Sequence, residues 1–389
     1  MPKLSWWSVL GLVALPTLAA GQVAEPARRA DSAQPVTGNA VVTRQGDVGD
    51  EHTYVIDLQE GSFFEASVSQ EQAEVALSVS GPEGAPVASV DLPSLDPLPE
   101  RLMFIAARTG TYRITVQLKP RTDLTGQVSE YTLRAGHQRQ ADDRDRRRSH
   151  CFAVTLDADR MAHRQPLPLA ELGEVIAALE RSSSCWRAES DAELETATLS
   201  SLAGLASLFA EFRLQSAAAF ERLIPLLRAS GRSQLELVAL DDLIVEYSDD
   251  GRFDRMRETA IEAQRLAAEL RNRSREGLAF RRLALAEFAL GNYEPARRAA
   301  LSTFDRATEL NDEPLLARAL LQLGRIDEVA GDYDAALAHY EQGLRAASTD
   351  LATSQFLRNA LGFLHLQRGA YDAAAEQFEA RLATASQMV

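Results

Sequence analysis

Four copies of one short pattern, Gly251-Arg252-Phe253-Asp254, Gly291-Asn292-Tyr293-Glu294, Gly331-Asp332-Tyr333-Asp334 and Gly369-Ala370-Tyr371-Asp372, recur 40, 40 and 38 residues apart. A fixed period of that length marks a stacked repeat protein. In every copy a stretch rich in leucine and alanine, apolar at helical spacing, precedes the glycine and another follows it. The unit is therefore a helix, a tight turn and a second helix. Glycine takes the left-handed geometry that ends the first helix, and Asn292 and Asp332 are predicted to cap the second.

The residues around these turns resemble the tetratricopeptide repeat. Leu320, Leu323 and Gly324 fall on a first helix, Gly331 and Tyr333 at the turn, and Ala336 and Tyr340 on a second. Leu361, Gly362, Gly369, Tyr371, Ala374 and Phe378 repeat the series. Small residues at 324, 336, 362 and 374 let paired helices approach closely, and the aromatic side chains fill the space beside them. The copies at Gly251 and Gly291 depart from the pattern at Met256 and Ala300, and Glu211-Phe212-Arg213 marks a degenerate fifth copy. A period of 38 to 40 residues, where the family usually has about 34, implies longer helices.

The chain carries 41 basic and 56 acidic residues, a net charge of −15. This excludes a nucleic-acid binder that works through a general positive field. Lys3 and Lys119 are the only lysines, so arginine is expected to pair across helix faces.

Lys3, the apolar run Trp6 to Leu15 and the small residues Ala19 and Gly21 predict a secretory signal peptide over residues 1–21, cleaved before Gln22. An uncleaved anchor is the alternative, although the run is short for a membrane span. The mature protein is then exported, periplasmic or extracellular, with no span left after cleavage. Cys151 and Cys185, the only cysteines, would sit in an oxidising compartment. They fall on two predicted helices of an opening hairpin, His150 being next to the first. Three states stay open: a disulfide, two unpaired thiols or a reactive thiol.

Residues 38–137 alternate with period two. Segments 54–58, 64–68, 75–79, 112–116 and 131–133, with turns at Gly61, Gly81-Pro82-Glu83-Gly84 and Gly110, predict an antiparallel sandwich. The landmarks His52-Thr53-Tyr54, Glu60-Gly61, Phe104, Gly110-Thr111-Tyr112 and Glu130-Tyr131 resemble the bacterial pre-peptidase C-terminal type of β-sandwich, a small accessory domain of secreted proteins. The expected fold class is thus multidomain, β then α: an N-terminal antiparallel β-sandwich followed by an α-solenoid. A flexible segment over 22–37 precedes the sandwich. The mixed-charge stretch 138–150 is expected to be a solvated linker, and 151–389 a solenoid of about five to six helical hairpins. Within its first hairpin, Gln165-Pro166-Leu167-Pro168 predicts a break.

No phosphate loop, nucleophile elbow, His-Glu-x-x-His or Cys-x-x-Cys occurs, and the six histidines are scattered singly. The sequence predicts no enzyme, no metal and no cofactor. Binding is the expectation. In the tetratricopeptide family the first helix of each unit lines a concave groove, and the matching positions are Arg281, Phe288, Arg318, Arg325, Glu328, Asn359 and Phe363. Arg318 and Arg325 share a helix face; with Arg281 and Asn359 they suit a carboxylate or acidic peptide. The opposing expectation is that Glu287, Asp327 and Glu328 neutralise these arginines.

Leader, sandwich, charged stretch and repeats, in that order, resemble the N-terminal portion of bacterial CHAT-domain proteins with tetratricopeptide repeats. In that family a caspase-like protease with a His/Cys dyad usually follows, and no residues here match it. The expected function is a non-catalytic exported scaffold for a partner protein or peptide. The alternatives are the targeting and regulatory portion of a longer CHAT-type cysteine protease and a periplasmic assembly factor.

Overall fold

The computed structural model describes residues 33–69, 74–91, 99–119, 129–136, 138–162 and 169–385. The expected leader and the proline break at 165–168 lie outside the described residues. Two compact units divide between Leu208 and Phe209.

The N-terminal unit holds strands β1 (Gln34–Pro35), β2 (Val41–Gly46), β3 (Glu51–Leu58), β4 (Ser62–Ser69), β5 (Glu74–Ser80), β6 (Pro86–Val90), β7 (Glu100–Ile105), β8 (Gly110–Lys119), β9 (Ser129–Ala135) and β10 (Arg139–Gln140). One sheet runs β1-β3-β8-β5-β6; the other runs β10-β4-β9-β2, with β7 also paired to β4. All pairings are antiparallel except the two-residue β1, which lies parallel to β3. Alternation decides which side chains go inward. Tyr54, Ile56 and Leu58 of β3 are buried, as are Tyr112, Ile114, Val116 and Leu118 of β8. At the corner before β8 the Tyr112 hydroxyl donates to the Arg108 carbonyl at 3.0 Å. The buried Tyr54 and Tyr131 hydroxyls lie 2.7 Å apart, and Tyr131 bonds His52 Nδ1 at 2.8 Å.

Three helices complete this unit: α1 (Asp143–Ala162), α2 (Leu172–Ala188) and α3 (Ala192–Ser207). Cys151, Phe152, Trp186 and Leu194 belong to the same core as the sandwich strands, so helices and sheets bury one continuous apolar interior. The compact unit thus extends well past residue 150. The charged stretch read as a solvated linker is built into it. Asp145 is buried and takes both terminal nitrogens of Arg139, whose guanidinium lies over the Phe63 ring. Asp142 Oδ1 accepts from the Asp145 amide at 2.8 Å and Asp145 Oδ2 from the Asp142 amide at 3.1 Å, a reciprocal cap. Asp191 caps α3 by accepting from the Leu194 amide, and also receives Arg101 of β7 and Arg148 of α1. Arg101 in turn holds Glu65 of β4 at 2.5 Å. A disulfide joins Cys151 of α1 to Cys185 of α2.

In the C-terminal unit, α4 (Arg213–Ala229), α5 (Ser233–Asp249), α6 (Phe253–Glu269), α7 (Arg273–Ala289), α8 (Tyr293–Leu310), α9 (Glu313–Ala330), α10 (Tyr333–Ala346), α11 (Leu351–Gln367) and α12 (Tyr371–Ala385) form a solenoid-like array. Gly331 ends α9 at φ 79°, in left-handed geometry, and Asp332 caps α10 by accepting from the Ala335 amide at 3.1 Å. Asn292 does not cap α8: its side-chain amide donates to Glu287 at 2.7 Å instead. An amide group can satisfy itself as a donor to a carboxylate, which Asp332 cannot do. A Cβ on Gly362 would lie 2.5 Å from the Phe378 ring, and one on Gly324 would collide with Tyr340. Small residue and aromatic are thus two halves of one contact, as the repeat pattern implied.

Arginines do pair across the helices. Arg228 of α4 reaches the buried Glu236 of α5 at 2.8 Å, and Arg306 of α8 reaches the buried Glu276 of α7 at 3.1 Å. These links recur between neighbouring helices of the array.

Candidate functional site: an arginine pair on the inner helices

The helices that precede the turn glycines are α5, α7, α9 and α11. On each, the positions 13, 10, 9 and 6 residues before the glycine share one face, following the i, i+3, i+4, i+7 rule. The central positions carry Asp241 and Asp242 on α5 and Arg281 and Arg282 on α7. Here the backbone sets charges of opposite sign on neighbouring helices.

The acidic pair and the arginines are unequally matched. Arg275 of α7 forms an ion pair with Asp241, and Arg318 of α9 donates from Nε and Nη2 to Asp350 Oδ2 at 3.1 and 2.7 Å. Burial works against the Asp350 charge, yet hydrogen bonds from Thr353 and the Arg318 charge hold its carboxyl below the ordinary value. The Nε of Arg281 and that of Arg282 are buried with no hydrogen-bond partner among the described residues. Burial, and then the neighbouring Arg282 and Arg318 charges, pull the Arg281 guanidinium down to about 9. Burial lowers Arg282 as well, against the pull of Asp241 and Asp242. Asp242 is pushed up to about 8, by burial first and then by Asp241. At neutral pH this carboxyl is protonated and supplies no counter-charge. Two half-buried arginines, each with an unmatched Nε, therefore sit side by side while the neighbouring Asp242 is neutral.

The expected site residues divide into separate groups. Arg281 and Arg318 interact electrostatically, with Arg282 beside them. Phe288, Arg325 and Glu328 come together farther along, where they line a shallow depression with Val329, Tyr333 and Gln367. There the Arg325 guanidinium stacks 4.7 Å from the Phe288 ring centroid, and Glu328 accepts from the Tyr340 hydroxyl at 2.9 Å. Asn359 accepts from Arg381 of α12 at 3.3 Å, and Phe363 packs edge-on against Phe378 at 5.5 Å. Glu287 is engaged by Asn292, and Asp327 by Arg297 and His339, so neither neutralises the arginine pair. Arg282 carries no signal of its own in the sequence, and the Asp241-Asp242 pair reads there as ordinary capping or solvated carboxylates, whereas Asp241 is buried. The signal was available in the repeat register, where position 282 stands one repeat after 242 and one before the buried Gln322, whose Nε2 is also unpartnered.

Among the described residues no group of three or more histidine, cysteine, aspartate or glutamate side chains is placed to hold a metal ion. No described helix is long and apolar enough to cross a membrane.

A family model agrees with the repeat reading over part of the array. Residues 275–349, spanning most of α7 to the end of α10, match the tetratricopeptide repeat family model. No curated protein matches the sequence. Among solved structures, the tetratricopeptide-repeat sensor STAND protein of Pyrococcus horikoshii is similar at 13% identity and a TM-score of 0.47, covering 63% of this chain and 37% of that one. The apo form of RapI is similar at 12% identity and 0.44, covering 61% and 98%. A periplasmic inhibitor of g-type lysozyme from Aeromonas hydrophila is similar over 28% of this chain and 96% of its own, at 13% identity and 0.23.

Proposed function

We propose that the protein is an exported, non-catalytic scaffold whose repeat groove holds a partner protein or peptide through an acidic group. The observation that carries this reading is the Arg281–Arg282 pair, each with a buried Nε that lacks an acceptor. Leaving a buried donor unmatched costs stability, and a bound acidic group is one way to satisfy it. Guanidinium groups suit carboxylates because the planar fork matches two oxygens. Repeat solenoids present such extended concave surfaces for binding.

Export is supported by the Cys151–Cys185 disulfide, which persists in oxidising compartments. In this reading the pre-peptidase-like sandwich with its three docked helices is a second adhesion or orientation module.

The test is affinity capture from the source cells with the wild-type chain and with R281Q/R282Q, both checked for native helicity by circular dichroism. A partner retained by the wild type and lost from the double variant is expected. An identical set of captured proteins on both baits contradicts the reading.

A further inference from the structure

The groove carries more information than the sign of its central charge. The two central positions are both ionisable on α5 and α7, are Leu321 and Gln322 on α9 and Asn359 and Ala360 on α11, and are flanked on each helix by residues one step outward on either side. These are Val238 and Val245 on α5, Leu278 and Leu285 on α7, and Phe356 and Phe363 on α11. The two phenylalanines are 51% and 52% exposed and share one helix face, seven residues apart. Only α9 breaks the two rows, with Arg318 and Arg325, and both are occupied: one by Asp350, the other over the Phe288 ring. The face thus has an ionisable centre between apolar flanks on α5 and α7, and two phenylalanine flanks on α11.

We infer that the segment this groove takes has a carboxylate set between bulky apolar side chains, and is not a run of acidic residues. This rests on the scaffold reading above and adds the chemistry of the bound segment. Charge complementarity argues for one acid and against many. The arginines with an unmatched Nε on this face sit side by side on α7, whereas Asp241 one helix away, already paired with Arg275, would repel further negative charge. The flanks on α5, α7 and α11 offer such a chain apolar contact along its length, which an acidic tract would leave unused. The two exposed phenylalanines offer apolar surface that binding would cover.

Panning a phage-displayed library of random linear 12-residue peptides on the purified chain tests the inference, with R281Q/R282Q and F356S/F363S as parallel baits. The wild-type pool is expected to be enriched in an acidic residue with aromatic or aliphatic residues within three positions on both sides. The acidic preference should vanish on R281Q/R282Q and the apolar preference should weaken on F356S/F363S. Changing the acid of a selected peptide to its amide should weaken binding at least about tenfold, the range of a lost charge-assisted pair. Basic peptides, uninterrupted acidic runs, or one pool common to all three baits would overturn the inference while leaving a peptide-binding scaffold. Failure of any bait to enrich a pool would overturn the inference together with the scaffold reading beneath it.

Discussion

Arg318 spends two hydrogen bonds on Asp350 Oδ2, and its neighbour Arg281, one helix away, keeps a buried Nε without an acceptor. A protein selected only for stability would not hold that arrangement. Replacing Arg281 by methionine preserves most of the stem's packing and removes a desolvated charge. R281M is expected to stabilise the fold by about 1 kcal/mol while weakening partner binding. Urea denaturation checks the first half; a loss of stability of similar size would mean that the guanidinium is satisfied in solution.

Asp242 supplies a pH dependence. Its carboxyl is raised from an ordinary value near 4 to about 8, so the folded state binds a proton that the unfolded chain releases. The stability linked to this proton is fully present below about pH 4 and is lost as the pH rises through about 8. Unfolding midpoints measured at pH 5 and pH 8 should therefore fall for the wild type. The fall should be smaller for D242N, which cannot ionise; equal slopes in the two proteins would show that Asp242 titrates normally.

The Cys151–Cys185 bridge closes a loop with a sequence separation of 34. Loop-closure entropy of that size corresponds to about 4 kcal/mol. C151S/C185S is expected to lower the unfolding temperature of the sandwich unit, measured by calorimetry with and without reductant. A reductant effect that persists in the double serine variant would contradict this assignment.

Asp191 gathers the α3 cap, Arg101 and Arg148 at one carboxylate. D191A would remove the cap and one carboxylate shared by two largely covered arginines, which keep Glu65, at a cost of about 2 kcal/mol. D191N, which keeps the cap acceptor, should recover part of that loss. The two variants unfolding at the same urea concentration would show that capping contributes nothing.

Gly324 faces the ring of Tyr340 with no room for a Cβ. G324A is expected to destabilise the array by about 1–3 kcal/mol through overpacking, against the gain that alanine usually brings to a helix. An increase in melting temperature would show that the ring moves aside freely.

The solenoid was legible because its signals are local. The turn glycines, the tyrosines after them and the small residues that face aromatics all recur at fixed offsets. The five strands recognised in the sandwich alternate cleanly, whereas the others hide their pattern. In β7, Leu102, Met103 and Phe104 are all buried, which erases the alternation, and β2 is half exposed along its length. The charged stretch 138–150 misleads for a different reason: a buried Asp145 and a solvated one have the same letter, and only the local Arg139 pair, held over the Phe63 ring of the sandwich, separates them. At the groove, Arg281 and Arg318 could be named from register. Which arginine is neutralised could not, because Asp350 lies outside the repeat signature, at the cap of α11.

Site-specific photocrosslinking in the source cells addresses the central claim most directly. A benzophenone side chain would replace Leu285, beside the arginine pair, or Arg265, an exposed position on α6. The account predicts a crosslinked partner from position 285 that disappears when R281Q/R282Q is added, and no such product from position 265. The same product from both positions, or a product from 285 that survives the double substitution, would contradict it.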